Sequence, residues 1–313
     1  MPAPRPCRPP SARLLLRGFA SRSGRRGVGD GFAYLLATFC RSGPVTPSAP
    51  VNQYQRASRA WPVLTKTAAL RKTLTYAELA ARLRIHPRPI RFVLGEIQDY
   101  CLDAKLPPLT ILVVNKRTHH PGAGFIAWDV DDWENGLPRV YDYPWQDRPN
   151  PFAFAQSGST PEALAKRLVS KPEDAEVVYR RIRDRGYAQL VFRLALLRAY
   201  GQRCAFCGLS LRDALQAAHI VPWSEASSGQ RVRPSNGLLL CSTHHALFDA
   251  HIMSVDLDRK IICDQNRLPG HRWTEIDNQI STSLHGHRII LPEDRRHCPS
   301  RVSLRRRANL FQH

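Results

Sequence analysis

Lysine is scarce in this sequence: only seven of its 46 basic residues are Lys, the rest Arg. Acid is scarce too, at 26 residues, which leaves a formal charge of +20 and a pI near 10.3. Such a surplus favours a polyanionic partner, most simply nucleic acid, because bound cationic side chains release counterions from phosphate. An Arg excess also follows from a GC-rich coding sequence, so charge alone does not name the partner. Long apolar runs are missing. No stretch approaches the roughly 18 residues of a transmembrane helix, and no membrane partner is expected. Internal repeats are missing as well, which argues against a solenoid. The 313 residues leave room for two compact domains and a tail.

Residues 1–55 lack acid apart from Asp30 and are rich in Arg, Pro, Gly and Ser. They cannot bury enough apolar surface for a core, so a disordered basic tail is expected there. Phe32–Phe39 follows Arg25 and Arg26 in the manner of an export signal, but Gly-Asp-Gly precedes it and it is short. A transit peptide, or an extension upstream of the true start, reads the same way. Disulfide pairing is also missing. Cys7, Cys40, Cys101, Cys263 and Cys298 follow no spacing pattern, and a reducing, bacterial cytoplasmic setting fits.

Order is expected from about Trp61. Thr75-Tyr76-Ala77-Glu78 has the form of a capping box opening a helix through Leu79, Ala80 and Leu83. After Pro87 and Pro89 a second helix is expected through Ile90, Val93, Leu94, Ile97 and Tyr100. The run LTILVV reads as a buried strand and GAGFIAW as its return. Residues 60–145 are thereby expected to form a winged-helix-like, DNA-binding domain, with Arg88 and Arg91 near the second helix as nucleic-acid contacts. The words TYAELAARL, LPPLTILVVNK and GAGF are distantly similar to the DNA-binding domain of alkyltransferase-like proteins. The Pro-Cys-His-Arg of active alkyltransferases is missing, and no alkyl transfer is expected. A protein-contact domain of the same fold is the competing reading.

Residues 146–185 read as a helical linker, with helices near Pro161–Val169 and Pro172–Arg183. Residues 186–313 are expected to hold the catalytic domain, entered by a helix over Tyr187–Tyr200 whose Gln189 and Arg193 share one face. Within it, Cys204 and Cys207 have the spacing of half a tetrahedral zinc site, and Cys241 and His244 repeat that spacing. His245 and Asp249 lie four apart, on one side of any helix, and suit a divalent cation such as Mg2+. His219 in AHIVPW is a neutral imidazole available as a general base.

The order AHIVPW, SNGLLLC, HHALFD resembles the HNH nuclease family, and most closely the branch of predicted bacterial restriction endonucleases. The resemblance implies a ββα-metal fold in which His219 activates water, Asn236 braces the base-bearing strand, and His245 with Asp249 holds the catalytic cation. It also implies double-stranded DNA cut to 5′-phosphate and 3′-hydroxyl ends. Many relatives place a further metal ligand just before the base, where this chain has Ala218. Cys204, Cys207, Cys241 and His244 would hold a structural Zn2+. The fold class expected is therefore α+β: basic tail, winged-helix-like domain, and C-terminal nuclease domain.

Downstream, IMSVDLDRKIIC reads as a hairpin, HGHRIILPED as a further strand, and VSLRRRANLF as a basic terminal helix. Arg305, Arg306 and Arg307 are consecutive, spread around that helix, and are candidate phosphate contacts. The function expected is a divalent-metal-dependent endonuclease of restriction or defence, with a homodimer left open. A zinc-containing DNA-binding protein with a degenerate nuclease fold is the alternative, and a secreted nuclease toxin a third reading.

Overall fold

In the computed structural model the described residues are 51–122, 124–129, 132–182, 184–264 and 274–310. The expected basic tail lies, over residues 1–50, outside them. Order begins earlier than expected. Helix α1 spans Gln53–Ala69, with the Asn52 side chain accepting from the Gln55 N–H. Pro62 sits inside it and cannot donate to the Ser58 carbonyl one turn back. Asn150 Nδ2 donates to that carbonyl instead, at 2.7 Å. A distant side chain thus supplies the missing donor, and the helix continues through its proline.

Strand β1 (Leu74–Thr75) leads into α2 (Tyr76–Leu83), and the Thr75–Glu78 capping box is formed in both directions. Helix α3 runs over Ile90–Asp103 and packs on α1. The expected wing is corrected. Most of LTILVV is a 3-10 turn, Leu109–Leu112, and only Val113–Val114 (β2) pairs, in parallel with β1. Among the described residues GAGFIAW forms no return strand. Its backbone is satisfied by helix side chains: Tyr76 Oη accepts from Gly122 N–H, and Gln98 accepts from Ile126 N–H and donates to the Gly124 carbonyl. Those bonds replace the ladder that a hairpin would need. An unforeseen helix, α4 (Trp133–Tyr141), follows.

Helices α5 (Pro161–Ser170) and α6 (Ala175–Ile182) stand where the linker helices were expected. Both pack on α7 (Arg185–Ala199), so they contribute to the core and do not merely connect. Asp184 caps α7 by accepting from Tyr187 N–H, and its other oxygen accepts from Tyr100 Oη of α3 at 2.9 Å. Buried apolar residues form one continuous cluster from Ala57 to Leu304.

Strands β3 (Leu215–His219) and β4 (Gly237–Cys241) pair antiparallel, with His219 opposite Gly237. α7 lies so close to this pair that a Cβ on Gly237 would sit 2.4 Å from the Phe192 ring. Helix α8 (Ser242–Asp249) follows β4 directly and packs on both strands. β3, β4 and α8 thus make a small ββα unit, with α7 behind it. Strands β5 (Met253–Val255) and β6 (Ile261–Cys263) form the expected hairpin, and its turn is held by Asp256 Oδ1, which accepts from the N–H groups of Asp258 and Lys260. The further strand expected in HGHRIILPED is reduced to an isolated bridge, Lys260–Arg288, because Ile290 N–H turns away to the Ala205 carbonyl. Helices α9 (Glu275–Ile280) and α10 (Arg301–Leu310) complete a mixed α+β, mostly helical fold. Among the described residues no helix is long and apolar enough to cross a membrane.

Candidate active site and metal centres

His219 is the last residue of β3. Its ring stacks on Phe192 of α7 (centroids 4.1 Å apart, planes 19° apart) and meets the edge of Trp223. Nε2 lies 2.9 Å from the Arg231 carbonyl. A carbonyl only accepts, so Nε2 carries the proton and Nδ1 keeps its lone pair. Arg231 is itself fixed, donating to the Trp223 carbonyl and to Tyr179 Oη. Burial lowers the His219 pKa below its ordinary 6.5, the Arg231 bond partly opposes this, and the neighbouring His245 lowers it further. The result is a neutral imidazole with one nitrogen open.

Asn236 is almost fully buried, and its amide clamps the segment that leaves β3. Oδ1 accepts from Val221 N–H, while Nδ2 donates to the carbonyls of Val221 and Gln230. Asn236 never reaches the base. It fixes the backbone on both sides of the loop that carries the Arg231 carbonyl.

His245 and Asp249 lie on successive turns of α8, with Nε2 and Oδ2 3.3 Å apart. His245 Nδ1 is 2.5 Å from Gln216 Oε1 on β3, a contact that the motif did not reveal. The signal was present in principle: Gln216 is the lone polar residue before His219 in a strand that is otherwise apolar. His219, Gln216, His245, Gln189, Leu190 and Arg193 line one cleft of about 310 Å³. His219 and His245 are therefore brought to a single opening, with Asp249 beside His245. The donor set fits a hard divalent cation, one imidazole and one carboxylate with open positions for water and phosphate.

The second cluster is the expected set. The ligand atoms of Cys204, Cys207, Cys241 and His244 all lie within 4.8 Å of one another. His244 Nδ1 is 3.2 Å from Cys241 Sγ and 3.5 Å from Cys204 Sγ, near the edge lengths of a tetrahedron around zinc. His244 Nε2 lies 2.9 Å from the Ile280 carbonyl, so the proton sits there and Nδ1 faces the thiols. Hydrogen bonding from Cys241, and then from His244, pushes the Cys204 thiol down to about 3, while the same bond and burial push Cys241 up. The cluster is consistent with a structural zinc ion.

The cationic residues separate. Arg88 and Arg91 are exposed at the start of α3, Arg91 lying over the Phe92 ring. Arg193 is in the cleft, but its guanidinium is anchored on the Leu215 and Arg212 carbonyls. Arg305 is exposed, and Arg306 donates to the Glu225 carbonyl. Arg307 corrects the expectation: it is 4% exposed, donates to the carbonyls of Ile220 and Phe248, and lies over the Phe248 ring. It organises the fold and presents no cation to a phosphate.

An HNH endonuclease family model matches residues 204–256. No curated protein matches the chain. Among solved structures, a modification dependent TagI restriction endonuclease aligns with 21% identity and a TM-score of 0.26, covering 38% of this chain and 37% of that one. The chain thus spans little more than a third of that protein's length. The family match runs from Cys204 of the Cys/His cluster through the helix bearing His245 and Asp249, and marks residues 204–256 as an HNH endonuclease domain.

Proposed function

We propose that the protein is a divalent-metal-dependent endonuclease acting on double-stranded DNA, in restriction of or defence against foreign DNA. The observation that carries this is the cleft in which His219 and His245 meet, with Asp249 beside His245. His219 Nδ1 takes a proton from water as it attacks the phosphorus, and the Nε2–H bond to the Arg231 carbonyl stabilises the imidazolium that forms. Asn236 keeps that carbonyl in place. Held by His245 and Asp249, a divalent cation would supply Lewis-acid stabilisation of charge on the phosphate and leaving oxygens. Zinc at Cys204, Cys207, Cys241 and His244 would brace the approach to β3 and the start of α8. The restriction reading is supported by the words AHIVPW, SNGLLLC and HHALFD.

Ala218 favours a second reading, a DNA-binding protein whose nuclease centre has lost a ligand. Plasmid cleavage separates the two. The nuclease nicks or cuts with added Mg2+ or Mn2+ and stops in excess chelator, and His219→Ala abolishes cutting while retaining DNA binding. A protein that binds DNA but cuts none of a panel of modified and unmodified substrates with any divalent metal is the second kind.

A further inference from the structure

The geometry assigns Gln216 as the positioning residue of the cation-binding histidine, a role that rests on reading His245 and Asp249 as the cation pair. Side chains alternate along a strand, so Gln216 and Ala218 occupy the same face of β3. Ala218, at the position where a further ligand is absent, is a buried methyl with nothing to donate. Gln216 stands two residues earlier, is longer, and reaches α8: its Oε1 lies 2.5 Å from His245 Nδ1.

That contact selects a tautomer. A carboxamide oxygen accepts and does not donate, so Nδ1 must carry the proton. The lone pair is then confined to Nε2, the nitrogen 3.3 Å from Asp249 Oδ2. An unconstrained neutral imidazole in water favours the opposite arrangement, with the proton on Nε2, which would turn an N–H towards the cation. Gln216 therefore keeps Nδ1 occupied by its proton, leaves Nε2 as the nitrogen that a cation seated beside Asp249 can take, and holds the ring plane against rotation. It also ties the metal-bearing helix to the base-bearing strand three residues before His219. A centre with two protein ligands depends on such preorganisation more than one with three.

The test uses the full chain, zinc retained at the cysteine site, with loosely held cations removed by chelator and dialysis. Histidine-selective ¹⁵N labelling reads the His245 tautomer, its signals being identified by their loss in His245→Asn. The same samples are titrated with Mn2+, and free Mn2+ is followed by electron paramagnetic resonance. In the parent His245 Nδ1 is expected to carry a proton. Gln216→Leu, which keeps the side-chain size without an acceptor, is expected to move the proton to Nε2 and to weaken Mn2+ by about 10- to 100-fold. Zinc content and melting temperature should stay at the parent's values, since Gln216 is exposed. Gln216→Glu restores an acceptor oxygen and should restore both tautomer and affinity. If Gln216→Leu keeps the parent tautomer and Mn2+ affinity, the assignment is overturned, whatever cleavage shows. If the tautomer and Mn2+ affinity change as expected but the parent cuts no DNA, the assignment stands and the nuclease reading fails.

Discussion

Arg307 Nη2 donates to the Phe248 carbonyl at 2.6 Å, and this bond closes the final turn of α8 with a side chain from α10. Phe248 is one of the last four residues of α8, whose carbonyls have no partner within the helix. The same guanidinium donates to the Ile220 carbonyl, next to His219, and its Cζ lies 3.5 Å from the Phe248 ring centroid. One arginine therefore spans the strand that carries His219 and the helix that carries Asp249. Arg307→Ala should destabilise the fold by about 1–3 kcal/mol, the range for stranding one buried carbonyl, that of Ile220, since the Phe248 carbonyl keeps the His251 N–H. Arg305→Ala should leave stability unchanged and weaken binding to arbitrary DNA at low salt. Urea denaturation and a salt-dependent binding titration on the two variants check this; equal melting would remove Arg307 from the core.

Protonation of His219 should set the acid limb of the activity profile. The base works only when neutral, so activity falls as pH drops through its pKa. Burial is the main cause of a pKa below 6.5, and the limb is therefore expected below pH 6.5. His219→Ala should cut turnover by roughly 100-fold or more, the usual loss of a general base. A limb above pH 7 with saturating Mn2+ would assign the titration to another group.

Zinc should account for one tightly held ion per chain. Cys204→Ser removes a fully buried ligand and should cost the ion and cooperative melting together, because metal binding and folding are coupled in so small a unit. Elemental analysis against the melting curve is the measurement. Well-folded protein without zinc would return Cys204, Cys207 and Cys241 to the role of core thiols.

What could be read in the sequence follows from what each feature depends on. His219, Asn236, His245 and Asp249 can be picked out by order and spacing, as can the cysteine set, and the structure brings His219 and His245 to one cleft and gathers the four Cys/His ligand atoms. The Thr75–Glu78 cap was legible because both partners are local. The wing failed because LTILVV is a short, wholly buried apolar run whose periodicity does not distinguish a strand from a 3-10 turn. Its fate was decided by Gln98, whose amide serves the backbone of 124–126 from another helix. α1 was concealed by Pro62 until Asn150, 92 positions from Ser58, supplied the donor. Arg307 looked like the solvated arginines beside it because helical phase relative to distant carbonyls is not written locally.

Asn236 offers a test of bracing apart from chemistry. Asn236→Asp keeps shape and Oδ1 but turns the donor end into a carboxylate oxygen facing the carbonyls of Val221 and Gln230. A buried charge set against two acceptors should destabilise more than Asn236→Ala, which simply vacates the clamp. Both variants should lose activity, with DNA affinity kept in whatever fraction remains folded. If Asn236→Asp melts with the parent, the segment around Val221 is held by other contacts.

A division of labour between α3 and the nuclease centre is the last prediction, and the fold changes how it must be tested. A ββα unit gripping phosphate carries little sequence information, whereas a helix presented to the major groove can tell bases apart. Cutting the chain near Glu173 would be the simplest experiment if the helices before α7 were a linker. They are not: α5 lies along α7 with Leu164, Ala165 and Leu168 buried. That truncation would expose the apolar side of α7, so lost cleavage would report unfolding. Point changes avoid the difficulty. Arg88 and Arg91 are exposed, and Phe92 beside them is 52% exposed, so Arg88→Ala and Arg91→Ala leave the core intact. Both should keep cleavage of arbitrary plasmid DNA within about threefold, while sequencing of cut ends shows a flatter preference, each lost base contact costing about 1–3 kcal/mol of discrimination. Unchanged cut-site profiles in the double variant would make α3 a surface for protein contact, not a reader of DNA.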